Sequence, residues 1–167
     1  MASERTPEPV TTLASASRPL ADLVVRARGS AGYPDPAGED DRPLMFSGSG
    51  LTPENRLSAL DLVAVLRQQY RDTETFPWFY GGLVVPRQAP SRFLRTGSPA
   101  WKDRVALKTG TLSEPHSVFG TAGYLRKRDG GWIAFVALVN GQPRRGIPVS
   151  VSLAAIRKDV EKLLDRY

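Results

Sequence analysis

Cysteine is absent from this 167-residue chain, which excludes disulfides and thiolate metal sites. A single histidine, His116, leaves no donor set for structural zinc, so no cofactor or metal is expected. Long apolar runs are also missing. The longest, residues 133–139, falls far short of the roughly 20 residues a membrane helix needs. The first twenty residues lack the basic start and apolar run of a signal peptide, so a product made as written would remain in the cytoplasm. Basic clusters are short, at Arg126-Lys127-Arg128 and Arg144-Arg145, and carry no interleaved aromatics. The net charge of +6 therefore reads as a solvated surface and not as a nucleic-acid interface.

What is present suits one ordinary globular domain. Hydrophobic residues at 41% can supply a core, while 15 glycines and 14 prolines require many turns. Residues 1–43 are rich in Ser, Thr, Pro, Ala and charge, and read as loop or disorder with one brief helix at the apolar patch 20–25. Residues 44–167 carry the regular pattern. Ser58, with Asp61 three residues on, is a variant capping box; Leu60, Val63, Leu66 and Tyr70 then recur at helical spacing as one buried stripe. Pro77 bars continuation, so residues 76–86 read as an irregular connection, with Trp78, Phe79 and Tyr80 as core.

Beyond Trp101 the period changes to two. A strand through Val105 and Leu107 runs into Lys108-Thr109-Gly110-Thr111, and residues 118–126 and 132–139 form two more strands around Asp129-Gly130-Gly131, a hairpin turn. The last strand is apolar on both faces, which predicts a central position covered by helices. After Pro148, the residues Val149, Leu153, Ile156, Val160, Leu163 and Tyr167 trace one face of a terminal helix. The expected fold is α+β (α/β layered), an antiparallel sheet with helices packed on it.

A strand-borne Lys-Thr-Gly offers a fixed positive charge, a hydroxyl donor, and a backbone that a ligand can approach without a Cβ in the way. That set suits recognition of a peptide carboxylate and of an oxyanion during acyl transfer. A surface strand ending in a polar turn would spell the same three residues. Lys-Thr-Gly is also one of the motifs of class A β-lactamases and penicillin-binding proteins, beside Ser-x-x-Lys and Ser-Asp-Asn.

The wider sequence resembles the peptidase S13 (penicillin-binding protein 4-like) D-alanyl-D-alanine carboxypeptidases. The resemblance rests on Ser47-Gly48-Ser49-Gly50-Leu51 with Asn55, the capped helix from Ser58, Lys108 to Leu112, Ala122-Gly123-Tyr124, Phe135-Val136 and Asn140-Gly141. It implies the C-terminal part of a β-lactamase/transpeptidase-like domain, placed in the periplasm or cell envelope, with a peptidoglycan D-Ala-D-Ala peptide or a β-lactam as ligand. Lys108 would hold the carboxylate region and assist proton traffic. Thr109 would bond the terminal carboxylate, Gly110 would give clearance, and the Thr111 amide would form half of an oxyanion hole. Residues 47–55 would be a structural turn beside the site.

Two further features of the family are missing. No serine is followed by lysine at the third position, and there is no Ser-x-Asn or Tyr-x-Asn. The expectation is therefore a fragment, from a truncated or split gene, that is inactive alone because it has no nucleophile. The alternative is a non-catalytic module that binds wall peptides or a chain supplying the serine half. His116 beside Glu114 and Ser117 is too close in sequence for triad geometry, and Glu39-Asp40-Asp41 reads as solvation.

Overall fold

A computed structural model describes residues 13–38, 41–114, 117–141, 146 and 148–167. The elements run α1 (Leu13–Ser30), α2 (Ala59–Arg71), α3 (Phe76–Gly81), a 3-10 turn (Pro86–Gln88), α4 (Arg92–Arg95), α5 (Pro99–Arg104), β1 (Val105–Leu112), β2 (Val118–Arg126), β3 (Trp132–Asn140) and α6 (Val149–Arg166). The three strands form one antiparallel sheet in the order β1-β2-β3, so the fold is α+β as the sequence indicates.

The register divides the sheet into two faces. Val105, Leu107, Phe119, Leu125 and Phe135 share a core with Leu153, Ile156, Val160 and Leu164 of α6. Trp101 of α5 is fully buried in that core, where its Nε1 donates to the Leu94 carbonyl at 2.8 Å. On the opposite face Tyr124 lies beneath α2 and α3. Its hydroxyl donates to the Leu66 carbonyl at 2.6 Å, and its ring meets Phe76 edge-on at 5.4 Å. Gly123 of β2 stands opposite Leu107 of β1 with no room for a side chain. A Cβ there would collide with the Ala106 carbonyl oxygen and lie 2.7 Å from the Leu107 Cα.

The capping box forms as the sequence indicates: Ser58 Oγ accepts from Asp61 N–H, and Asp61 Oδ2 accepts from Ser58 N–H at 2.7 Å. Asp61 has a second partner, Arg28 of α1, at 2.9 Å, and both side chains are buried. One carboxylate thus caps α2 and ties α1 to it.

Several expectations are corrected. The brief helix at 20–25 is an 18-residue helix that continues through Pro19. Its buried face is Ser17, Val24, Ala27 and Arg28, while Leu20, Leu23 and Val25 are turned outward. On α2 the buried positions are Asp61, Ala64 and Leu66, while Leu60 and Tyr70 are exposed; the face turned inward is the one that carries Asp61, the partner of Arg28 on α1. The helix before Pro77 does stop short of it, at Arg71, but the connection expected to be irregular opens with α3, which has Pro77 in its first turn, where its missing N–H forfeits no bond. Trp78 is 84% exposed and its place among the aromatics is taken by Phe76, against Tyr70, Tyr80 and Trp132.

The largest correction concerns β3. It packs against α2 on one face, and on the other Phe135 shares the core with Ile156 and Val160 of α6, yet it stands at the sheet edge, and β2 is central.

Candidate functional site

The alternation of an antiparallel ladder fixes which backbone groups of β1 face outward. Leu107 exchanges both of its backbone bonds with Val84, N–H to O at 2.9 Å and O to N–H at 2.8 Å, on the side away from β2. Residues two and four further on, Thr109 and Thr111, therefore present their N–H and C=O to the same outer edge. No described residue bridges that edge beyond Leu107. The strand enters the site paired and leaves it open.

The side chains alternate correspondingly. Lys108 and Gly110 lie on the face toward α2, and Thr109 and Thr111 on the face toward α6, in register with Thr121 and Phe119. Lys108 is exposed, and its Nζ donates to the Thr109 carbonyl. Gly110 has an ordinary negative φ, and an added Cβ would meet nothing within 4 Å. Neither backbone conformation nor packing requires glycine there. What its missing side chain provides is open space on the face of the strand.

That space is one wall of a hollow of about 410 Å³. Lys108, Thr109 and Gly110 form this wall, and Ser47, Ser49 and Gly50 of the turn form the other. The turn is held by Asn55. Its Oδ1 accepts from the Phe46 and Ser47 amides at 2.8 and 3.2 Å, and its Nδ2 donates to the Ser47 carbonyl at 2.8 Å. The Ser47 and Ser49 hydroxyls bond each other at 2.7 Å, and Gly50 takes the left-handed conformation at φ +72°. These serines brace the loop.

A second hollow of about 520 Å³ adjoins the first, lined by Asp41, Arg42, Arg56 and Asn140 among others and sharing Asn55, Leu57, Leu62 and Leu138 with it. Of these polar residues only Asn140 carried a sequence signal, in Asn140-Gly141. Asp41 stood in the Glu39-Asp40-Asp41 run read as solvation, and Arg42 and Arg56 carried no signal. His116, Glu39, Asp40 and the Arg144-Arg145 pair lie outside the described residues. No cluster of metal-ligating side chains occurs among the described residues, and no described helix is long and apolar enough to cross a membrane.

Lys-Thr-Gly on an open strand edge, facing a Ser-Gly-Ser-Gly turn clamped by asparagine, is the arrangement to be matched. No curated protein and no solved structure matches the chain. The family model described as D-Ala-D-Ala carboxypeptidase 3 (S13) matches residues 41–162, which takes in the clamped turn, the capped helix, all three strands and most of α6. With well over half of its length accounted for in this way, the chain belongs to the D-Ala-D-Ala carboxypeptidase 3 (S13) family.

Proposed function

We propose that the outer edge of β1 docks peptides ending in D-Ala-D-Ala, and that this chain by itself performs no acyl transfer. The observation that carries the docking is the outward-facing backbone of Thr109 and Thr111, which no strand bridges among the described residues and whose Thr109 carbonyl meets only the neighbouring Lys108 Nζ. An extended peptide adds to such an edge by main-chain hydrogen bonds. Lys108 supplies the positive charge for the terminal carboxylate region, and Thr109 donates its hydroxyl to that carboxylate. Gly110 leaves room for the ligand, and the Thr111 amide points at the carbonyl oxygen of the penultimate residue. A β-lactam, which presents a carboxylate and a carbonyl at comparable spacing, fits the same edge.

Hydrolysis needs more than docking. The nucleophile and its base in this class are Ser-x-x-Lys, which the sequence does not contain. One oxyanion donor and a positioned carboxylate do not form an acyl-enzyme. The chain supplies the substrate-docking half of a carboxypeptidase site, of the kind that works in the cell envelope, and the serine half comes from another polypeptide segment.

Incubation with a fluorescent penicillin followed by denaturing electrophoresis tests the inactivity. No covalent label is expected at any incubation time. A labelled band that survives denaturation would place a nucleophile in this chain, and Ser49→Ala would be the first variant to examine.

A further inference from the structure

The short helix α4 turns an aromatic ring and two guanidiniums outward together. Its Leu94 lies in the core with Trp101. At about 100° per residue, the side opposite Leu94 centres on Arg92, with Phe93 and Arg95 on either side. All three are exposed, Phe93 by 55%. A third arginine reaches the patch from α6. Arg157 donates to the Phe93 carbonyl at 3.2 Å, and its Cδ occupies the space where a side chain on Gly97 would stand.

These cations have no counterions of their own. Arg95 donates to the Ala89 and Pro90 carbonyls, and none of the three guanidiniums pairs with a carboxylate among the described residues. The acids on the adjoining helices are already engaged. Asp103 of α5 is held by Arg87, and Glu161 of α6 accepts from the Ser98 amide at 2.7 Å. Unpaired arginines alone would suit any polyanion. Phe93 decides between the candidates, because its ring gains by leaving water for the acyl boundary of a bilayer, whereas a soluble phosphate polymer offers it no apolar phase. Trp78 is the contrast. It is 84% exposed, but it stands shortly after Asp72 and Glu74, whose charge an anionic surface repels.

We propose that Arg92, Phe93, Arg95 and Arg157 form a docking surface for an anionic lipid bilayer. The arginines meet headgroup phosphates, and the Phe93 ring enters the layer between headgroups and acyl chains. Three cations and one ring give weak adhesion that salt reverses, so the chain rests on the bilayer without crossing it.

Sedimentation of the intact chain with lipid vesicles tests this. Binding to vesicles of equal parts phosphatidylglycerol and phosphatidylcholine is expected to exceed binding to phosphatidylcholine alone at least tenfold, and to fall as salt is added. Arg92→Glu is expected to weaken it at least fivefold. Arg18→Glu makes the same change of net charge at an exposed position of α1, which packs on α2, and is expected to weaken it less than twofold. Phe93→Ser, which keeps every charge, is expected to weaken binding at least threefold, and Phe93→Trp to retain it. If Phe93→Ser does not fold, the comparison of Arg92→Glu with Arg18→Glu decides the matter. Equal binding to the two kinds of vesicle, equal losses for the two arginine variants, or full binding by a folded Phe93→Ser would each overturn the proposal. So would complete displacement from the vesicles by soluble polyphosphate at equal phosphate concentration, which would make the patch a site for a soluble polyanion.

Discussion

At the scale of single residues, Asp61 carries more of the structure than its place in a capping box foretells. It accepts from the Ser58 amide and hydroxyl with one oxygen and from Arg28 with the other, and it is 1% exposed. Removing one member of a buried pair leaves the other charge uncompensated, which costs about 3–5 kcal/mol. Asp61→Ala is expected to lower the melting temperature more than Ser58→Ala, which loses only a cap of about 1 kcal/mol. Equal shifts in thermal melts would refute the dual role. Tyr124 makes a second prediction. Burial raises its hydroxyl pKa above the ordinary value of 10.0, so the folded chain holds that proton more tightly than the unfolded chain does. Stability from this group is complete below pH 10.0 and is lost as the pH rises above it. Denaturant titrations at pH 8 to 11 are expected to show a decline in the wild type that is smaller in Tyr124→Phe.

At the scale of elements, β1 depends on Gly123. With the Ala106 carbonyl and Leu107 Cα against its missing side chain, Gly123→Ala is expected to push β1 away from β2. Thr109 and Thr111 would move with it, so peptide binding should fall along with stability. Gly110→Ala, where nothing lies within 4 Å, is expected to leave the melting temperature unchanged and to weaken peptide binding alone. The contrast between the two variants separates a glycine the fold needs from one the ligand needs. The same elements show what the sequence made legible. Strand limits, the hairpin turn with Gly130 at φ +90°, the Ser58 cap and the terminal helix follow from local pattern, because each is set by neighbours within a few residues. The strand that carries Lys108 to Thr111 was legible too. The length of α1 and the buried face of α2 were not; the buried pair that joins the two helices links residues 28 and 61, too far apart for a local pattern to report. Nor was the edge position of β3. Two apolar faces report cover by helices above and below, and carry no information on whether a neighbour lies alongside.

At the scale of the whole molecule, the described residues form a sheet with helices on both faces, open along β3 and along β1 beyond Leu107. The outer edge of β1 is short, open beyond Leu107, and flanked by a hollow with a lysine in its wall. That of β3 is longer, uncharged, and flanked by hollows on both faces. On the reading proposed above, the β1 edge takes a small carboxylate-terminated peptide. No acyl-enzyme is expected from this chain alone, and the central claim is that the β1 edge docks substrate without chemistry. The most direct measurement is an NMR titration of the isotopically labelled chain with a tripeptide ending in D-Ala-D-Ala. Saturable shifts at the Thr109 and Thr111 amides are expected, weakened at least tenfold by Lys108→Ala and absent with the L-Ala-L-Ala peptide. Unshifted Thr109 and Thr111 amides at saturating peptide, or binding indifferent to Lys108, would contradict the account.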